Sequence, residues 1–240
     1  RSLVNYMTHM DAQQSMYIDL ESRFIEDTKR YYQVDSAAVE QKTPGEAIKY
    51  VADCCALERR IIDLCLLSRT QAPMDRMLNN QLVIAHTDYF MKGFETIVIG
   101  GDAELGAAIQ ELFQRVDKQE ALVEKFREIT QRVGFQAFEE NKEAAAKDSA
   151  KFVEVAAALH TRFRDYVLRA FSGLVVFSEA FDDSFTKVLN TNAVVDADAR
   201  GVSRQAAVPR ILADYTNNLM RQRKVPLTAG EMEKAQTELV

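Results

Sequence analysis

The stretch from Asp102 to Asp148, DAELGAAIQELFQRVDKQEALVEKFREITQRVGFQAFEENKEAAAKD, decides the fold class. It holds two glycines, no proline, and a dense supply of Ala, Leu, Glu, Gln and Lys, the residues that lose least on entering a helix. Ile109, Leu112, Val116, Gln119, Val123, Phe126, Thr130 and Val133 recur at alternating spacings of three and four. That spacing keeps one stripe of a helix apolar, as a heptad seam does, and the polar Gln119 and Thr130 blunt it. Glu111–Arg115, Glu128–Arg132 and Glu143–Lys147 add i,i+4 pairs in the favoured order.

Helical periodicity continues to Leu189. A single helix over that span would be on the order of 130 Å long. The change from apolar spacing to Asn-Lys-Glu-Ala-Ala-Ala-Lys-Asp places a turn between Asn141 and Ser149. A final long helix then carries Phe152, Leu159, Phe163, Tyr166, Ala170, Phe177, Phe181 and Phe185, with an end at Asn190-Thr191-Asn192. Aromatics at this spacing read as core.

Towards the N-terminus the pattern is also helical, with more punctuation. A first helix is expected from about Leu3 to Gln33, with Met10, Tyr17, Leu20, Phe24 and Tyr31 inward. Thr43-Pro44-Gly45-Glu46 spells a capping box with proline at the first helical position. The helix that follows is expected to bury Ile48, Val51, Cys55, Ile62 and Cys65, with Leu57, Leu64 and Leu67 widening the buried face. Pro73 is expected to break or kink the chain. A helix from there to Ile99 carries Leu78, Leu82, Ala85, Tyr89 and Ile97, and Gly100-Gly101 ends it, with Asp102 as the next N-cap.

Beyond Asn190 the character changes. Ala193 to Val208 is small, polar and weakly periodic; a short helix is expected from Pro209 to Arg223, and Thr228-Ala229-Gly230-Glu231 opens another. The expected fold class is therefore all-α: an elongated antiparallel helical bundle, coiled-coil-like, over residues 1–190. An extended C-terminal arm with one or two short helices follows over 191–240. The arm carries the candidate partner-binding residues, Arg210, Arg221, Arg223 and Lys224, a basic set that also complements a helix C-terminus.

Chemistry-bearing patterns are sparse. The three histidines, His9, His86 and His160, lack a glutamate three residues before them, so the Glu-x-x-His signature of di-metal bundles is missing. His86 with Asp88 is the one candidate acid–base pair. The cysteines, Cys54, Cys55 and Cys65, form no Cys-x-x-Cys and read as thiols in a reducing, intracellular compartment. That compartment is the cytoplasm, or an organelle interior such as the mitochondrial matrix if Arg1 is a processed terminus. No phosphate loop or nucleophile elbow is spelled. No catalytic residue, metal ligand or cofactor is therefore assigned, and enzymatic function is disfavoured.

A net charge of −6 argues against nucleic acid, and no apolar run is long enough for a transmembrane helix. The leading expectation is a non-catalytic structural or assembly subunit that scaffolds a larger protein complex through its long helices and arm. Its partners are other proteins of the complex, or a second copy of itself. A BAR-like membrane-shaping homodimer is the first alternative; peripheral membrane contact would suit it, although the span 102–147 carries ten acidic against seven basic residues. A helical small-molecule binder or enzyme of unknown chemistry is the second.

Overall fold

The computed structural model describes residues 15–200 and 207–222, and every regular element among them is helical. The chain divides into two compact units, Arg1–Leu122 and Val123–Val240.

In the first unit, α1 (Ser15–Asp35) and α2 (Pro44–Cys65) form a hairpin. The capping box is present: the Glu46 N–H donates to Thr43 Oγ1 at 3.4 Å, and the Thr43 N–H donates to the Glu46 carboxylate at 2.9 Å. The buried face of α1 is rotated from the expected one. Tyr17 and Tyr32 are fully buried, whereas Leu20 and Tyr31 face solvent. The reason is polar: each buried tyrosine has a partner for its hydroxyl. Tyr17 Oη accepts from the Leu67 N–H at 2.8 Å and lies 2.7 Å from Thr70 Oγ1, which donates to Glu21 at 2.6 Å. Tyr32 donates to Glu58 at 3.1 Å. Met10 of the expected stripe lies outside the described residues.

On α2, Ile48, Val51, Cys54 and Ile62 are buried, while Cys55 is half-exposed and Cys65 exposed. Leu57 and Leu64 also face solvent, so this helix is covered on one side and not on two. Glu58 is 7% exposed, and burial pushes its carboxyl pKa up. A carboxyl raised in the folded state adds stability at low pH, and that contribution is lost as pH rises through the folded pKa. Glu58→Gln keeps an acceptor for Tyr32 without the charge. It is expected to melt roughly 2–4 °C above the parent chain at pH 7.5, a gap that closes towards pH 4.5; a variant less stable than the parent at pH 7.5 in thermal scans would refute this.

Pro73 follows the expected break, where Leu66 and Leu67 are extended and Ser68–Thr70 forms a 3-10 turn. It sits in the first turn of α3 (Gln71–Leu78), where its missing N–H has no helical partner to lose. A second irregularity comes later, as a π-turn over Asn79–Val83 and a 3-10 turn over Ile84–His86, before α4 (Thr87–Gly100). Ala85, expected inward, is exposed there. α4 ends as its glycines imply. Gly101 takes φ 73°, its N–H reaches the Val98 carbonyl at 3.1 Å, and the Asp102 N–H reaches that of Ile97 at 3.2 Å. Asp102 then caps α5 (Ala103–Arg115) by accepting from the Leu105 N–H. The core of this unit includes Tyr17, Tyr32, Ile62, Met74, Leu78, Phe90, Phe94 and Phe113.

Each of the two expected long helices is interrupted once. Asp117 at φ 56° separates α5 from α6 (Gln119–Glu140), and Ser172 at φ 51° with Gly173 at φ 68° separates α8 (Ser149–Phe171) from α9 (Val175–Arg200). The turn expected between Asn141 and Ser149 is there, as two breaks flanking the short α7 (Lys142–Lys147). Asn190-Thr191-Asn192 does not stop α9: Thr191 Oγ1 and Asn192 Nδ2 donate back to carbonyls one turn earlier, so the helix absorbs them and runs to Arg200.

In the second unit α6, α8 and α9 alternate in direction. Phe126 meets Phe163 while Phe138 meets Phe152, so α6 and α8 are antiparallel. Phe163 meets Phe181 while Phe171 stacks on Phe177 at 3.8 Å, so α8 and α9 are antiparallel too. α6 and α9 then run parallel. Arg127 pairs with Asp183 at 2.8 Å, Lys187 donates to Gln131 at 3.0 Å, and a methyl group on Gly134 would lie 2.9 Å from both Val188 methyls. The aromatic stripe is core: Phe126, Phe163, Phe171 and Phe177 are fully buried. Thr130, expected to blunt the seam, is buried and donates to the Phe126 carbonyl at 2.9 Å.

Candidate partner-binding surface

The helix that carries two of the four candidate residues is α10 (Ala207–Gln222). Val208, Ile211, Leu212, Tyr215 and Leu219 follow the i, i+3, i+4, i+7 rule, which gives one apolar stripe. Pro209 falls in the first turn, where it costs no hydrogen bond. The stripe packs on α8 and α9: Ile211 is buried, and Val208, Leu212, Tyr215 and Leu219 are half-buried.

The opposite side faces outward. Arg210, Ala213, Asn217, Asn218, Met220 and Arg221 are exposed. Arg210 and Arg221 are eleven residues apart, about three turns, so they share one face. Neither forms an ion pair among the described residues. Arg221 stands in the last turn, where its charge also complements the negative end of the helix. The face can thus offer two guanidinium groups, two amides and one thioether to an external surface. Arg223 and Lys224 lie outside the described residues, as do the helix expected to open at Thr228 and residues 201–206 of the expected linker.

Beneath α10, a small, partly open apolar cleft of about 40 Å³ lies between α8, α9 and α10. His160 is on its wall, with its ring 5.5 Å from that of Phe181 and 5.3 Å from that of Phe185. Burial pulls the His160 pKa below the ordinary imidazole range, and the nearby Arg164 charge acts in the same direction. Nothing in the short-range sequence pattern marks this cleft. Its walls come from three helices, and only the Val208–Leu212 spacing hints that α10 has something to cover.

The candidate acid–base pair has a different partner. His86 Nδ1 lies 2.8 Å from Glu40, not from Asp88, because the 3-10 turn before α4 swings the imidazole towards the α1–α2 connection. The three cysteines are free thiols. Among the described residues no group of three or more His, Cys, Asp or Glu side chains is placed to hold a metal ion, and no helix is long and apolar enough to cross a membrane. His9 lies outside the described residues.

A family model described as "Cullin: Cullin alpha solenoid domain" matches residues 1–240. Among curated proteins, the chain is similar to Cullin-5 of Dictyostelium discoideum, 21% identical over 222 residues, covering 92% of this chain and 29% of that protein. It is also similar to Cullin-4 of the same organism, 23% identical over 194 residues, covering 80% of this chain and 23% of that protein. The chain thus spans less than a third of the length of these curated relatives.

Proposed function

This chain belongs to the cullin family, and we propose that it serves as a non-catalytic scaffold segment of a multi-subunit protein complex, of the cullin-RING ligase kind. The observation that carries this reading is the match of the cullin α-solenoid description across the whole chain. A packed helical frame with a polar, arginine-bearing outer helix supports it: such a frame holds its surface in place without conformational change on binding. The family match favours this assembly reading over a BAR-like membrane-shaping homodimer, which rests on the outline of long helices alone.

The α10 face is proposed as one contact point with a protein partner of the complex. Charged rim residues tune association more than they set affinity, but a reversed charge facing a complementary partner repels it. Exchanging both arginines, Arg210→Glu with Arg221→Glu, is expected to lower recovery of co-purifying subunits about tenfold when the full-length protein is isolated from cells, with the melting temperature unchanged. Undiminished recovery of every subunit from the double variant would remove α10 from the contact surface. A full-length protein that isolates alone, as a compact monomer, would remove the scaffold reading itself.

A further inference from the structure

We infer that the turn end of the α8–α9 hairpin is a docking surface for a short acidic, aliphatic helical segment of a partner protein. Leu168, Leu174, Val175 and Val176 are each between 39% and 66% exposed there. They form one patch. Leu174, Val175 and Val176 are consecutive, and a methyl group on Gly173 would lie 3.6 Å from Leu168 Cδ2, so Leu168 rests against the turn. α10 covers the other end of the same hairpin, around Phe152 to His160 and Phe185 to Leu189. The surface is therefore separate from the α10 face and exists whichever partner that face takes.

Local helix rules do not explain the patch. The Leu174 carbonyl accepts from the Phe177 N–H at 3.0 Å and the Ser178 N–H at 3.1 Å, which makes Leu174 the N-cap residue of α9. That position favours Ser, Thr, Asp or Asn, whose side chains satisfy the first N–H groups of the helix. Two exposed valines then occupy the first turn, where Glu or Lys would cost less. The frame beneath them is fixed. Ser172 at φ 51° and Gly173 at φ 68° set the turn, the Leu174 N–H donates to the Phe171 carbonyl at 2.9 Å, and Phe171 stacks on Phe177 in the core. An apolar patch held rigid at the expense of a helix cap fits a contact surface, because little order is lost when it binds.

Charge and area choose the occupant. Between Arg162 and Ser178 the chain carries three arginines, Arg162, Arg164 and Arg169, and one acid, Asp165, a local net charge of +2 in a chain whose total is −6. Arg164 and Arg169 are exposed and form no ion pair among the described residues. The first acid of α9, Glu179, comes one turn after the valines. Such a rim speeds the approach of an acidic segment and repels a basic one. The four side chains expose on the order of 300 Å² of apolar surface. A stable dimer needs about 800 Å² from each copy, so the patch is too small to hold a second copy of this chain. It suits two or three turns of an amphipathic helix, read through anchors one turn apart.

The test measures binding of a fluorescein-labelled peptide, three repeats of Glu-Glu-Leu-Leu, to the purified full-length protein by fluorescence anisotropy. Two control peptides replace Glu by Lys or Leu by Ser. The acidic aliphatic peptide is expected to bind with a Kd of about 10–100 µM, and each control at least about tenfold more weakly. Leu168→Ser with Val175→Ser should weaken binding about tenfold at an unchanged melting temperature; Val176→Glu serves if the serine pair does not fold. Arg164→Glu with Arg169→Glu should erase the preference for the acidic peptide over the lysine one. No saturation by the acidic peptide below about 1 mM, or equal binding by the parent and both double variants, would overturn the assignment. So would a parent protein that leaves the peptide unbound and instead dimerises, or sediments with phosphatidylserine vesicles, through the same four residues.

Discussion

Phe126→Ala is expected to destabilise the Val123–Val240 unit by about 3–5 kcal/mol, a large part of what holds a domain folded. Phe126 is fully buried, and four rings surround it: Phe163 at 6.2 Å, Tyr166 at 6.4 Å, Phe171 at 5.6 Å and Phe177 at 5.8 Å. Three of the four contacts are edge-to-face, the geometry that adds to simple burial for aromatic pairs. These partners come from the helices on both sides of the Ser172-Gly173 turn, so the void would open where α6, α8 and α9 all meet. The rings cannot slide into it without breaking the Phe171–Phe177 stack. Phe126→Leu, which keeps much of the volume, should cost less than half as much. Urea denaturation followed by circular dichroism measures both. A loss under about 1 kcal/mol for the alanine variant would mean that this cluster is not the centre of the unit's core.

The other large effect belongs to the first unit. Tyr17→Ala is expected to cost about 4 kcal/mol, because it removes a fully buried ring and also dismantles a relay. The Leu67 N–H donates to Tyr17 Oη; the Tyr17 hydroxyl, within 2.7 Å of Thr70, passes its proton that way; and Thr70 donates to Glu21. Arg69 lies over the outer face of the ring, 4.5 Å from its centre. Tyr17→Phe isolates the polar share. It leaves the ring in place but deprives a backbone N–H at the end of α2 of its acceptor, and should cost about 1–2 kcal/mol. Hydrogen exchange at Leu67 is the sharper measurement: the amide should lose protection in the phenylalanine variant while its neighbours earlier in α2 keep theirs. Unchanged protection would place the stabilisation in the ring alone.

Much of this architecture is legible in the residues, and the parts that are not have physical reasons. Thr43-Pro44-Gly45-Glu46 and Gly100-Gly101-Asp102 act locally: each satisfies its own backbone groups within three or four residues, so spelling and structure agree. The break at Asp117 is hidden because it contains neither glycine nor proline, and because three inserted residues leave the three-four spacing nearly in phase between Val116 and Gln119. Aspartate can occupy the left-handed region at modest cost, so the sequence carries little warning. Ser172-Gly173 was better marked, but Phe163 to Phe185 reads as one stripe across it. The rotation of α1 depends on which tyrosine hydroxyl finds a partner in a segment fifty residues away, and no local pattern encodes that.

The candidate surface divides in the same way. That α10 would be a short amphipathic helix with outward arginines follows from its spacing, and Arg210 and Arg221 do face outward. Its setting does not follow, since the cleft beneath it is built from α8 and α9. Family membership was not legible from any short motif; it rests on a match along the whole chain.

The parallel pairing of α6 with α9 works like a notched rule. Arg127 meets Asp183 and Ser184, Gln131 meets Lys187, and the missing side chain of Gly134 receives Val188. The marks sit four and three residues apart on α6, but three or four and then one apart on α9. Because the two scales differ, sliding one helix past the other by a full turn cannot bring a second set of marks into line. It would put a bulky residue of α6 where Val188 needs a gap, and separate the charges at the same moment. The two contacts made by charged side chains, Arg127–Asp183 and Lys187–Gln131, are weak alone because they are exposed, whereas the Ser184 hydroxyl is buried. Together with the one glycine, they make the alignment of the two helices a matter of coincidence among unlike spacings, which leaves a single setting and no near miss.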